Sequence, residues 1–151
     1  MIAELKRILL AEDNANDIEL TMTALRENHV LNEVIVVQDG AAALDYLFKR
    51  EAHAHRAGGN PALVLLDLKM PKMDGIEVLR QVKADPMLKT IPVVVLTSSR
   101  EEQDLVRSYD LGVNAYVVKP IDFLEFVAAV KLLGGFWALV NEPPPPGGPK
   151  A

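Results

Sequence analysis

Leu63-Val64-Leu65-Leu66-Asp67-Leu68-Lys69-Met70-Pro71-Lys72-Met73-Asp74-Gly75 decides the fold. It opens with four apolar residues in a row and breaks at a carboxylate. A strand that is apolar at every position has both faces buried, which implies a parallel sheet covered by helices on both sides. The stretch from Gly75 to Ala84 reads as the helix that follows. Asp85-Pro86 ends it, because the residue before a proline is pushed away from helical angles.

The same strand-then-helix unit recurs in both directions. Upstream, Ile8-Leu9-Leu10-Ala11 is an apolar run, and residues 14 to about 28 are helical, with Ile18, Met22 and Leu25 on one face. Val34-Ile35-Val36-Val37 is a second strand, and residues 40 to about 50 a second helix. A polar stretch over 51–61 closes with Gly58-Gly59-Asn60-Pro61 and reads as a loop. Downstream, Val93-Val94-Val95-Leu96 is the fourth strand, and residues 100 to about 110 the fourth helix, with Gly112 at its C-terminal turn. Ala115-Tyr116-Val117-Val118 is the fifth strand, and a fifth helix starts at Asp122. Strict alternation with right-handed crossovers predicts a doubly wound α/β sandwich, a (βα)5 fold with a five-stranded parallel sheet of order 2-1-3-4-5.

Composition narrows the function. The chain has 151 residues, 50% of them hydrophobic and 25% charged, so it reads as one globular domain. It has no cysteine, which excludes disulfides, thiolate metal sites and cysteine nucleophiles. A net charge of -5 without a basic cluster argues against nucleic-acid binding. No apolar run reaches the ~18 residues of a membrane span, and the first seven residues do not form a signal peptide. The expected location is the cytoplasm.

Ligands in a doubly wound sheet bind beyond the carboxyl ends of the strands. Glu12 and Asp13 follow the first strand, Asp67 the third, Thr97-Ser98-Ser99 the fourth, and Lys119-Pro120 the fifth. Asp39 follows the second, out at the sheet edge. Three carboxylates brought together repel one another and call for a cation, and an all-oxygen donor set suits a hard ion such as Mg2+. Asp67 is then free to accept a phosphoryl group, since carboxylates do form aspartyl phosphates. Each residue alone has a plainer reading. Glu12-Asp13 suits a helix N-terminus, Asp67 a turn, Thr97 an N-cap, and Lys119 a surface. It is their common position at one end of successive strands that favours the chemical reading.

At these residues the chain resembles the receiver domain of bacterial two-component response regulators, a flavodoxin-like fold. The resemblance covers residues 6–133 and rests on Leu10-Ala11-Glu12-Asp13-Asn14, Leu65 to Gly75, Val95-Leu96-Thr97 and Tyr116-Val117-Val118-Lys119-Pro120. It implies a phosphoprotein of a phosphorelay rather than an enzyme with a separate substrate: the domain would catalyse only its own phosphorylation and slow dephosphorylation. Asp67 would be the phosphoacceptor. Glu12, Asp13, Asp67 and the backbone carbonyl of Lys69 would hold Mg2+. Thr97 and Tyr116 would be the switch pair, and Lys119 the phosphate-pairing lysine. The Lys119-Pro120 peptide would be cis.

Thr97-Ser98-Ser99, the long loop after the second helix, and Phe136-Trp137 look like the small receivers that partner bacterial phytochrome kinases. The implied partners are a sensor histidine kinase, of bacteriophytochrome type, and a second copy of the chain. The homodimer would form through the fourth helix, fifth strand and fifth helix together with Phe136 and Trp137. The expected boundaries are a receiver with an apolar C-terminal extension over 1–141 and a disordered Pro/Gly-rich tail over 142–151. With no second domain in the sequence, output is expected through protein–protein contacts or onward phosphoryl transfer.

Rival readings fare worse. An aspartyl-phosphate phosphatase needs an acid two residues after its nucleophile, where Lys69 stands. A receiver-like module without phosphorylation would not need Glu12, Asp13, Asp67, Thr97 and Lys119 together. A flavin binder would need a Ser/Thr/Gly loop where Glu12-Asp13-Asn14 stands. His53 and His55 form a His-x-His in a polar loop with no third ligand nearby, and His29 suits a helix C-terminus.

Overall fold

The computed structural model describes residues 7–27, 32–97, 113, 115–119 and 124. Within them lie β1 (Ile8–Ala11), α1 (Ala15–Glu27), β2 (Val34–Val37), α2 (Gly40–Phe48), β3 (Leu63–Asp67), α3 (Gly75–Ala84), β4 (Val93–Thr97) and β5 (Ala115–Val118). The strands form one parallel sheet in the order β2-β1-β3-β4-β5, as the sequence predicts. The fourth and fifth helices, Pro120, Phe136, Trp137 and the 142–151 tail lie outside the described residues.

Although the strands are apolar throughout, their side chains still divide with period two. Leu9, Ala11, Val64, Leu66, Val93 and Val95 face one layer, with Leu44 and Leu47 of α2 and Val78, Leu79 and Val82 of α3. Ile8, Leu10, Leu63, Leu65, Val94, Leu96, Ala115 and Val117 face the other, with Leu25 of α1. The α1 face differs from expectation in one respect. Thr21 is buried while Met22 is only half-buried. The hydroxyl tolerates burial because it donates to the Asp17 carbonyl at 2.8 Å.

The helix ends set the loops. Asp39 caps α2 by accepting the Ala42 N–H at 2.7 Å, and Asp74 caps α3 by accepting the Glu77 N–H at 3.0 Å. The second helix stops at Phe48, short of the predicted end. Lys49 turns into the left-handed region (φ 56°), and the Lys49 and Arg50 N–H groups bond back to Tyr46 and Asp45. That is a Schellman ending with lysine where glycine is commoner. The polar stretch beyond contains one short 3-10 turn, Glu51–His53. It is pinned by Arg56, which donates to the Tyr46 and Gly59 carbonyls and stacks 4.2 Å from the Tyr46 ring centre.

Close approach demands glycine at Gly40, which packs on the Met73 backbone, and at Gly75. A Cβ on Gly75 would sit 2.4 Å from the Asp67 carbonyl oxygen and 2.8 Å from the Leu68 Cα. The first residue of α3 therefore packs directly on the backbone that carries Asp67. Gly75→Ala should cost about 2 kcal/mol or more, the scale of overpacking against backbone. Gly59→Ala, where a Cβ meets nothing within 4 Å, should stay within about 0.5 kcal/mol. Urea unfolding of both variants checks this, and equal midpoints would contradict it.

Candidate functional site

The register brings the carboxyl ends of the strands level. Ala11 pairs with Leu66, Asp67 with Leu96, and Thr97 with Val118. Glu12 follows β1 directly, and its N–H donates to the Val37 carbonyl at 2.9 Å, so the side chain leaves the sheet from a fixed backbone. Lys119 follows β5 and is held likewise, its N–H donating to the Thr97 carbonyl at 2.7 Å. Beyond these ends opens a cleft of about 420 Å³ lined by Glu12, Asp13, Asn14, Ala15, Asp17, Asp67, Lys69 and Lys119.

At its centre the Lys119 Nζ meets three carboxylates. It lies 2.9 Å from Glu12 Oε1, 3.0 Å from Asp17 Oδ2 and 3.0 Å from Asp67 Oδ1. Glu12 is fully buried and Asp67 nearly so, whereas Asp13 is exposed. The Glu12 contact is close but lacks hydrogen-bond alignment, so Oε1 has a Coulombic neighbour and unfilled lone pairs. The other oxygen, Oε2, accepts the Asn14 N–H at 3.2 Å.

Burial pushes the Glu12 carboxyl up to about 7; Lys119 and the Asn14 N–H pull it down, while the Asp67 charge adds to the rise. Burial alone would lower the Lys119 ammonium, but the Glu12, Asp17 and Asp67 carboxylates more than reverse this and hold it above the ordinary lysine value.

Glu12, Asp13 and Asp67 each offer an oxygen, all within 4.8 Å of one another. Three carboxylates, one with open lone pairs in a buried position, fit a hard divalent cation. The predicted acidic trio and Lys119 are thus brought together. Lys69 is exposed and lines the same cleft. Thr97 is fully buried, and its hydroxyl has no hydrogen-bond partner among the described residues. Tyr116 is half-buried and packs on the core layer shared with α2 and α3. Asp39 stands apart at the edge strand, 3.5 Å from the Lys72 Nζ. His53 packs edge-on against the Tyr46 ring at 5.1 Å and is in no metal-ligand cluster among the described residues. The residue that sequence reasoning missed is Asp17: three positions after Asn14, the cap of the first helix, it carries only the signal of a local helix-start role.

Comparison with known proteins agrees with this geometry. The family model for the response regulator receiver domain matches residues 8–131. The solved bacteriophytochrome response regulator AtBRR is similar at 61% identity and a TM-score of 0.87, covering 93% of this chain and 100% of its own. The phosphorylated cyanobacterial phytochrome response regulator RcpA is similar at 45% identity and a TM-score of 0.72, covering 89% of this chain and 94% of that one. Response regulator Rcp1 of Synechocystis is 40% identical over 132 residues, 87% of this chain and 88% of Rcp1. Its Mn(2+)-bound form has a TM-score of 0.71 at 39% identity, covering 91% of this chain and 96% of that one.

The raised Glu12 carboxyl has a pH consequence. Without a cation the folded chain binds more protons than the unfolded chain between the ordinary carboxylate value of 4.5 and about 7. Stability of the cation-free protein should therefore fall as pH rises through that window and level off above it. Divalent-cation affinity should move the other way and strengthen from about pH 6 to 8 as Glu12 ionises. Calorimetric titration across this range, repeated on Glu12→Gln, checks both; a pH dependence that survives the substitution would refute the assignment.

Proposed function

Because this chain belongs to the response regulator receiver family, a family of phosphoacceptor domains, we propose that Asp67 takes the phosphoryl group and that the cation beside it is Mg2+. The observation that carries this is the Lys119 ammonium 3.0 Å from Asp67, beside three carboxylates with oxygens within 4.8 Å of one another. Phosphoryl transfer asks mainly for positioning and for charge to neutralise the phosphoryl oxygens.

An Asp67 carboxylate oxygen attacks the phosphorus of a phosphohistidine presented by a sensor kinase. The O–P bond forms as the P–N bond breaks, and the electron pair returns to the imidazole nitrogen. When bound by Glu12, Asp13, Asp67 and the Lys69 carbonyl, Mg2+ supplies positive charge against the phosphoryl oxygens. Lys119 offers its N–H donors to the same oxygens. The Thr97 hydroxyl, buried without a partner among the described residues, gains an acceptor once phosphate arrives, and Tyr116 turns inward as Thr97 moves. The domain thus catalyses its own phosphorylation and slow dephosphorylation. A phosphatase reading is disfavoured by Lys69, which stands where the second acid would be needed.

The upstream partner is a sensor histidine kinase of bacteriophytochrome type, a reading supported by similarity to AtBRR and RcpA. Among the described residues no helix is long and apolar enough to cross a membrane, in keeping with a cytoplasmic switch. Output passes through protein–protein contact, with 1–141 as the working domain and 142–151 as a tail. The fourth helix, the fifth strand, the fifth helix, Phe136 and Trp137 supply a homodimer interface.

Asp67→Asn should fold with an unchanged circular-dichroism spectrum and take up no phosphoryl group from acetyl phosphate. Intact-mass detection of hydroxylamine-sensitive phosphorylation on that variant would overturn the assignment. Light scattering behind size-exclusion chromatography should show a dimer, with Mg2+ alone or with beryllofluoride, that Trp137→Ala weakens. A monomer under both conditions would exclude the interface.

A further inference from the structure

Asp17 has a partner that its place in the helix does not explain. It stands at the third position of α1, and its N–H is accepted by Oδ1 of the cap residue Asn14 at 3.0 Å. In a capping box, an acidic side chain at that position turns back to the N–H of the cap residue. Here that N–H is already taken by Glu12 Oε2 at 3.2 Å. Asp17 is left without its local role. Its Oδ2 accepts instead from the Lys119 Nζ at 3.0 Å, across 102 positions of chain. Its backbone is fixed on the other side as well, since its carbonyl accepts the Thr21 hydroxyl. A favourable helix dipole accounts for an acid in the first turn but not for this bond.

Asp17 also differs from the other two carboxylates on the lysine. Glu12 and Asp67 belong to the trio whose oxygens converge; Asp17 does not. A cation on that trio shares the oxygens of Glu12 and Asp67 and repels the ammonium beside them. Asp17 is then the carboxylate lining the cleft that Lys119 keeps to itself.

We propose that Asp17 is a positioning residue: it anchors the Lys119 ammonium in the cleft while the cation occupies Glu12, Asp13 and Asp67, so that the lysine's other N–H donors stay turned toward the phosphoryl group on Asp67. The inference rests on Asp67 being the phosphoacceptor. An ammonium carries three donors, and one held by Asp17 leaves two for phosphoryl oxygens.

Two measurements on the full chain test it. In the first, trace acetylation with acetic anhydride is quantified at Lys119 by peptide mass spectrometry, with and without Mg2+. Lys119 of the unaltered protein should stay protected in both conditions. In Asp17→Ala it should become several-fold more reactive once Mg2+ is added, while other lysines are unchanged. Asp17→Asn, which keeps an acceptor and the side-chain size, guards against misfolding and should fall between the two. Unchanged Lys119 labelling in both variants overturns the proposal.

In the second, initial rates with radiolabelled acetyl phosphate and Mg2+ are compared in a double-mutant cycle. Asp17→Ala should slow phosphorylation about tenfold, the scale of a mispositioned catalytic group. In a Lys119→Ala background the same change should cost less than about twofold if Asp17 acts through the lysine. An equal loss in both backgrounds, or no loss in the first, overturns it. A parent protein that takes no phosphoryl group would instead sink the phosphoacceptor reading, leaving the labelling to judge the anchor by itself.

Discussion

A carboxylate deprived of water costs several kcal/mol unless it is paired, and this molecule buries Glu12 completely and Asp67 almost completely at one spot. The Lys119 ammonium makes that tolerable. It follows β5, the edge strand, and lies within 3.0 Å of both. The compensation is incomplete: Glu12 Oε1 is buried with no hydrogen-bond partner among the described residues, and burial still pushes the carboxyl up. Four carboxylates and two lysines, Lys69 and Lys119, line the cleft. The site is thus held together by an ion pair network and at the same time left short of positive charge, which is the condition for taking up a cation.

That network works only if its members arrive together, and this is the task of the sheet. Parallel pairing with no bulge puts Ala11 beside Leu66, Asp67 beside Leu96 and Thr97 beside Val118. A slip of one residue would exchange the two core layers, because the period-two division persists in strands that are apolar throughout. The helix termini add a second constraint. Gly75 presses α3 on the Asp67 backbone, and a Cβ on Gly40, at the start of α2, would meet the Met73 carbonyl at 2.0 Å. The loop after β3 is thereby clamped between two helix N-termini.

Such a design leaves a clear trace in sequence. Strands apolar at every position, each followed by a polar residue, are enough to derive the sheet, its order, and the gathering of Glu12, Asp13, Asp67 and Lys119 at one end. What stayed hidden was of a different kind. The early stop of α2 depends on Lys49 entering the left-handed region, which residue type alone does not announce. The burial of Thr21 depends on a hydroxyl finding the carbonyl one turn back. The tie between Asp17 and Lys119 is a side-chain meeting across the fold, and hydrophobic periodicity says nothing of those. Asp17 also looked ordinary, because an acid near a helix start already has a local explanation.

The same charges constrain the order of events. A phosphoryl donor is an anion, and it must approach a cleft where carboxylates outnumber ammonium groups. At close range and away from bulk water such repulsion is not screened. A cation held by Glu12, Asp13 and Asp67 would offset that repulsion and ease the donor's approach. The same cation would compete with Lys119 for the Glu12 and Asp67 carboxylates. A site that relied on those two alone would lose its lysine at the moment the phosphoryl oxygens need it. Asp17, outside the converging trio and rigidly mounted on the first turn of α1, separates the two requirements. Its charge adds to the field that draws the cation in, and its bond to Lys119 does not compete with the cation once it is there.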